Sequence, residues 1–139
     1  MSRPLRESPC LCIRIRRAAQ RVTDFYDARL APVGVSVNQY SLLANINRMG
    51  ECGTGELARR VGLEKSTLVR TLKPLCEAGY VADLSPEGSR KRRLCLTALG
   101  REVLERAVPL WEKAQEELRA ELGAGYAGLV EFLRHARTL

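Results

Sequence analysis

Aromatic side chains are scarce in this chain: two Phe, one Trp and four Tyr, 5% of the sequence. Any core must therefore be built from small aliphatic residues. No apolar run approaches the roughly 18 residues that span a bilayer, which argues against a membrane helix. His135 is the single histidine, and neither a zinc site nor a histidine-based triad is expected around it. Five cysteines form no regular framework. Cys10-x-Cys12 has the wrong spacing for a zinc knuckle, and Cys52, Cys76 and Cys95 stand alone. An odd cysteine count suits a reducing compartment. The opening segment MSRPLRESPC is basic but lacks the apolar stretch of an export signal. A cytoplasmic protein without metal or cofactor is the expectation.

What is abundant is positive charge. Lys and Arg number 23 against 16 Asp and Glu, a formal charge of +7 over 139 residues. The length allows one ordinary domain with its own core, and the charge favours a polyanion, most simply nucleic acid, as partner.

Along the chain, Ser8-Pro9 reads as a helix cap with proline in the first turn. Ile15, Ala18, Ala19, Val22, Tyr26 and Leu30 then form an apolar stripe at helical spacing, with Arg14, Arg17 and Arg21 on another face. Pro32 and Gly34 end this helix. Ser36-Val37-Asn38-Gln39 is a capping box for a second helix that ends near Gly50. A short third helix from about Thr54 to Val61 stops at Gly62, and a fourth runs from Lys65 to Ala78. The period then changes. Tyr80–Leu84 and Arg93–Leu96 read as strands flanking the basic loop Ser85–Arg92. Thr97 caps a long helix that Pro109 should kink. Gly123 to Gly128 break the pattern before a last helix through Leu129, Phe132 and Leu133. The predicted fold is mainly α with a small β-hairpin wing, a winged helix-turn-helix.

The third and fourth helices carry the chemistry. Ala58 is small enough to let them approach, and Gly62 can take the turn between them. On the fourth helix Leu68, Leu72 and Leu75 share one face. At 100° per residue, Ser66, Arg70 and Lys73 point the other way, with Thr67 on the flank and Lys65 at the start. Such a short, polar and basic face suits the major groove, where Arg can bind guanine through two hydrogen bonds and Ser or Thr reach base edges or phosphates. Beside it, the hairpin presents four consecutive cations from Arg90 to Arg93. Arg90, Lys91 and Arg92 are candidates for the adjacent minor groove, whose narrow stretches concentrate negative potential. A charge run alone is usually a solvated loop; a helix-turn-helix followed at once by a basic hairpin is far more specific.

On these residues the sequence resembles the MarR family of bacterial transcription regulators over nearly its whole length. The shared features are the order of elements and five local matches: Gln39-Tyr40-x-Leu42-Leu43, Glu56-Leu57-Ala58, Ser66-Thr67-Leu68-x-Arg70, Glu77-x-Gly79-Tyr80-Val81 and Leu96-Thr97-x-x-Gly100. The resemblance implies a homodimer through the terminal helices and an effector cleft between that region and each DNA-binding lobe. It divides the chain into residues 1–35 for dimerisation, 36–97 for the DNA-binding lobe, and 98–139 for dimerisation again. The stripe offered to the partner would comprise Ile15, Val22, Val103, Leu118, Leu129 and Leu133. Three features depart from the family pattern. The wing's usual Asp-x-Arg is Gly88-Ser89-Arg90, Val69 stands where Ser or Thr is common, and Pro74 interrupts the fourth helix.

A regulator needs a signal. The family's organic-hydroperoxide sensors place a reactive cysteine near the start of the first helix, where Cys12 stands here. Tyr26 matches the tyrosine that holds that thiol, although two further tyrosines of those sensors are replaced by Arg16 and Val37. Cys10 and Cys12 near a helix N-terminus would be favoured as thiolates. Fourteen positions along a helix place Tyr26 about 21 Å from Cys12 at 1.5 Å per residue, so contact would have to cross between subunits. A small aromatic or phenolic effector is the alternative signal. Two other classes compete with the regulator reading. A thiol enzyme such as a small peroxidase would want a thioredoxin-like pattern and a Cys-x-x-Cys pair, both missing. A helical adaptor that ignores DNA would have no use for the cations at Arg70, Lys73 and Arg90 to Arg93.

Overall fold

The structure is a computed structural model that describes residues 8–139. Most of the basic opening segment, on which the expectation against export rests, and the start of the proposed 1–35 region lie outside the described residues. Among the described residues six α-helices, a 3-10 turn at Ala31–Val33 and one hairpin follow in the expected order: α1 (Leu11–Leu30), α2 (Val37–Met49), α3 (Thr54–Val61), α4 (Lys65–Glu77), β1 (Val81–Asp83), β2 (Leu94–Leu96), α5 (Ala98–Leu122) and α6 (Gly125–Ala136). No helix among the described residues is long and apolar enough to cross a membrane.

Local chemistry explains most boundaries. The Ser36 side chain accepts from the Gln39 amide at 3.1 Å, and Gln39 Oε1 accepts from the Ser36 amide at 2.9 Å, completing the capping box that opens α2. Gly62 adopts φ +71°, a left-handed conformation that closes α3 and starts the turn into α4. Thr97 accepts from the Gly100 amide at 3.0 Å and opens α5. The first helix departs from expectation. Its cap position is Cys10, with no side-chain cap, and Ser8 instead accepts from the Cys10 amide at 3.3 Å. Ser8-Pro9 therefore forms a lead-in turn, and the helix begins at Leu11. The last helix starts earlier than the glycines suggest: Gly125 and Gly128 both lie within α6. The helical cost of about 1 kcal/mol per glycine is overridden there. The strands are three residues each, paired antiparallel with Val81 opposite Leu96 and Asp83 opposite Leu94. Cys52 adds a bridge to Leu94 that extends the hairpin's outer edge onto the α2–α3 connection.

One core joins these elements. Leu42, Leu43 and Ile46 of α2, Leu57 of α3, Leu68, Leu72 and Leu75 of α4, and Val81, Leu94 and Leu96 of the hairpin are all buried in it. Leu30 from α1 and Val103, Leu104 and Ala107 from α5 complete it. Val103, only 4% exposed, is thus a core residue and drops out of the stripe expected to face a partner. The same spacing serves either purpose, and only the tertiary neighbours distinguish them. Farther along, α1 is fixed to α5 by a hydrogen bond from Tyr26 Oη to Gln115 and by the Arg29–Glu117 ion pair. Asp27 accepts from the Val37 amide at 2.7 Å, tying α1 to the start of α2.

Candidate nucleic-acid interface

The face of α4 opposite its buried leucines carries Lys65, Ser66, Arg70 and Lys73, all exposed, with Thr67 half-buried on the flank. Helical periodicity and the burial of Leu68, Leu72 and Leu75 turn this face away from the core, and it is exposed among the described residues. Lys73 makes only a loose pair with Glu77 at 3.9 Å, and Thr71 donates to the Thr67 carbonyl. Pro74 is accommodated within α4 without ending it. Since proline has no amide hydrogen, the Arg70 carbonyl loses its helical donor there.

The start of α4 meets the hairpin loop across an open cleft of about 520 Å³. Lys65, Arg90, Lys91 and Arg92 all line it, together with Thr54 and Gly55 at the start of α3. Four of the eight residues expected to contact DNA are thus gathered on this cleft. The other four, Ser66, Thr67, Arg70 and Lys73, continue along the neighbouring face of α4.

The four wing cations are not equivalent. Arg92 pairs with Asp83 at 3.0 Å, and Arg93 pairs with Glu51 at 2.8 Å. Arg93 also follows directly into β2, so it belongs to the base of the hairpin and not to its tip. Arg90 and Lys91 have no side-chain partner among the described residues. Asp83 and Glu51 are residues that sequence reasoning missed. Asp83-Leu84-Ser85 does carry a readable signal, since an Asp two residues before a Ser commonly opens a turn through its own carboxylate. Hydrogen bonds from Ser85 first, and then from the Arg93 amide and Arg92, hold the Asp83 carboxyl well below the usual carboxylate range.

The cysteines fall into two sets. Cys10 and Cys12 are exposed at the start of α1. Cys52 is buried, and burial first and Glu56 second push its thiol up. Cys76 lies on the exposed side of α4, and its thiol is also raised, by burial first and then by Asp83. Both effects disfavour thiolate. Tyr26 is buried, and its hydroxyl is committed to Gln115 of the same chain. Within one chain the structure does not bring it to Cys12.

The MarR family model matches residues 33–92, the stretch that holds α2, α3, α4 and most of the wing. The chain is 35% identical to the transcriptional regulator MosR of M. tuberculosis, whose structure in complex with DNA superposes with a TM-score of 0.77 over 93% of this chain and 97% of that one. The HTH-type transcriptional regulator YwoH of Bacillus subtilis is 27% identical over 77% of this chain and 78% of its own. BpsR of Bordetella bronchiseptica, at 22% identity, shares the fold with a TM-score of 0.84 across 99% of this chain and 100% of its own.

Proposed function

The chain belongs to the MarR family, and we propose that it is a cytoplasmic, homodimeric regulator that binds double-stranded DNA sequence-specifically and represses transcription until a signal releases it. The observation that carries this reading is the pairing of two basic surfaces. The unoccupied face of α4 has major-groove chemistry, and its first residue shares a cleft with the free cations of the wing. Arg70 would read a base, Ser66 and Thr67 a base edge or phosphate, and Lys65, Lys73, Arg90 and Lys91 would neutralise backbone.

The dimer is supported by surface that one chain leaves uncovered. Residues 11–22 of α1 are all exposed, including Leu11, Ile13, Ile15 and Val22. In α6 no residue is buried, and Leu129, Phe132 and Leu133 face outward. Three exposed helical turns bearing four large apolar residues would be poorly stable alone in water. A second copy packed through these segments would cover them. Residues 1–35 and 98–139 then serve dimerisation around the lobe of residues 36–97.

For the signal, exposure of Cys10 and Cys12 at the start of α1 favours an oxidant. A hydroperoxide would take a thiolate to the sulfenic acid and leave as the alcohol. A small aromatic effector bound between the lobes and the dimerisation region remains the competing signal.

Salt titration of duplex binding tests the reading. With Lys65, Lys73, Arg90 and Lys91 of each protomer neutralising about eight phosphates per dimer, the plot of log affinity against log salt has a slope of about −7. An enzyme or a helical adaptor would show little affinity for duplex at any salt.

A further inference from the structure

We propose that Asp83 is the positioning residue of the wing, gathering the returning loop onto one carboxylate so that Arg92 acts as a brace and Arg90 and Lys91 are the wing cations that meet DNA. The inference rests on the DNA-binding reading above and adds which wing cations act and what holds them in place.

Asp83 is the last residue of β1. Its Oδ1 accepts from the Ser85 amide at 2.9 Å, the Ser85 hydroxyl at 2.7 Å and the Arg93 amide at 3.1 Å. Its Oδ2 accepts from Arg92 Nη1 at 3.0 Å. One side chain therefore ties the departing strand, the first bend of the loop and the loop's return. The loop has little else to shape it. The Leu84 amide donates to the Arg93 carbonyl at 2.8 Å, and toward the tip, among the described residues, only the Ser89 amide donates to the Pro86 carbonyl and the Ser89 hydroxyl to the Lys91 carbonyl. A loop of this length would sample many conformations without a common anchor.

The base of the hairpin is pinned separately. Cys52 and Leu94 exchange backbone hydrogen bonds of 3.0 and 2.8 Å, and Glu51 holds Arg93 beside them. Relative to the lobe the wing is thus fixed at its root by Glu51 and Cys52, and shaped above the root by Asp83. The resemblance leads one to expect an acidic residue two positions before Arg90, where this chain has Gly88 in a left-handed conformation, φ +81°. A carboxylate is supplied from β1 instead.

The charges then divide. Arg92 sits 3.0 Å from a carboxylate that its hydrogen bonds hold ionised, so its charge is compensated before DNA arrives. Binding releases counterions only for cations that newly neutralise phosphate. Arg92 should release none, whereas Arg90 and Lys91 should each release about one per protomer.

The test measures affinity of the full chain for a selected genomic duplex and a random duplex across a salt series. Arg90→Ala and Lys91→Ala should each flatten the salt slope by about two, one for each protomer of the dimer, and Arg92→Ala should leave it as in the native protein. Asp83→Asn removes the charge without changing size. It should free Arg92 in both protomers, steepen the slope by up to about two, and lower the preference for the selected duplex about tenfold as the wing loses its shape. Asp83→Glu should restore the slope and only part of the preference, because its longer arm cannot close the Ser85 turn. Amide exchange at Ser85 and Arg93 should quicken in Asp83→Asn while the melting temperature holds. The proposal is overturned if Arg92→Ala flattens the slope as Arg90→Ala does, or if Asp83→Asn changes neither slope nor preference. A native protein that ignores duplex at every salt would instead overturn the regulator reading, with amide exchange still reporting whether Asp83 holds the loop.

Discussion

Replacing Gly100 by Ala puts a methyl group where the fold has no room. Gly100 is buried in the first turn of α5, and a Cβ there would lie 2.0 Å from the Tyr80 carbonyl oxygen and 2.9 Å from its carbon. Ordinary contact begins at 3.4 Å, so α5 and the α4–β1 connection must separate by about 1.4 Å, the difference of the two distances. The obstacle is backbone, which cannot swing aside. That carbonyl also accepts from the Thr97 amide at 3.0 Å, and the Thr97 hydroxyl donates to the adjoining Gly79 carbonyl at 2.5 Å, so separation weakens both. Two effects compete. Alanine is the better helix former by about 1 kcal/mol. Overpacking costs about 1–3 kcal/mol, and each weakened hydrogen bond about 0.5–1.5 kcal/mol. The clash wins by about 2 kcal/mol, and the melting temperature should fall by about 5–10 °C. Circular dichroism melts of native protein and Gly100→Ala decide the matter. An unchanged or higher melting temperature would show that the close approach of α5 to Tyr80 is wrong.

Three further outcomes are expected. Arg70→Ala should reduce the preference for the selected duplex over a random one by about 1–3 kcal/mol, the worth of one bidentate guanine contact; equal losses on both duplexes would move Arg70 to the phosphate backbone. A chain ending at Leu122 lacks the outward apolar face of α6 and should sediment as monomer or aggregate, whereas an unimpaired dimer would place the subunit contact elsewhere. Cys12→Ser should keep DNA affinity in the presence of a small excess of organic hydroperoxide while the native protein loses it. If native, Cys10→Ser and Cys12→Ser proteins all bind equally before and after peroxide, an effector bound between the lobes takes over as the signal.

The helix-turn-helix was legible because its determinants are local. The capping box at Ser36, the left-handed Gly62 and the leucine spacing of α4 each depend on residues within a turn or two of one another. The order of elements and the wing were readable for the same reason. What escaped notice depends on partners distant in sequence. Arg93 is paired with Glu51 across 42 positions, and Arg92 with Asp83 across nine, so four adjacent cations looked alike. Val103 has the spacing of a helix stripe whether it faces its own core or another chain, and only the packing of α5 on α2 assigns it inward. The start of α1 was misplaced because Ser8 satisfies the Cys10 amide in a bend, a use of serine that mimics a helix cap.

The most direct test of the central claim is selection of genomic DNA fragments by the purified full-length protein, followed by sequencing. The account predicts a recurrent, approximately palindromic sequence whose half-sites lie about one helical turn, 10–10.5 base pairs, apart, as a dimer presenting two copies of α4 requires. Fragments recovered without any shared sequence, or a single unpaired half-site bound as tightly as the pair, would contradict it.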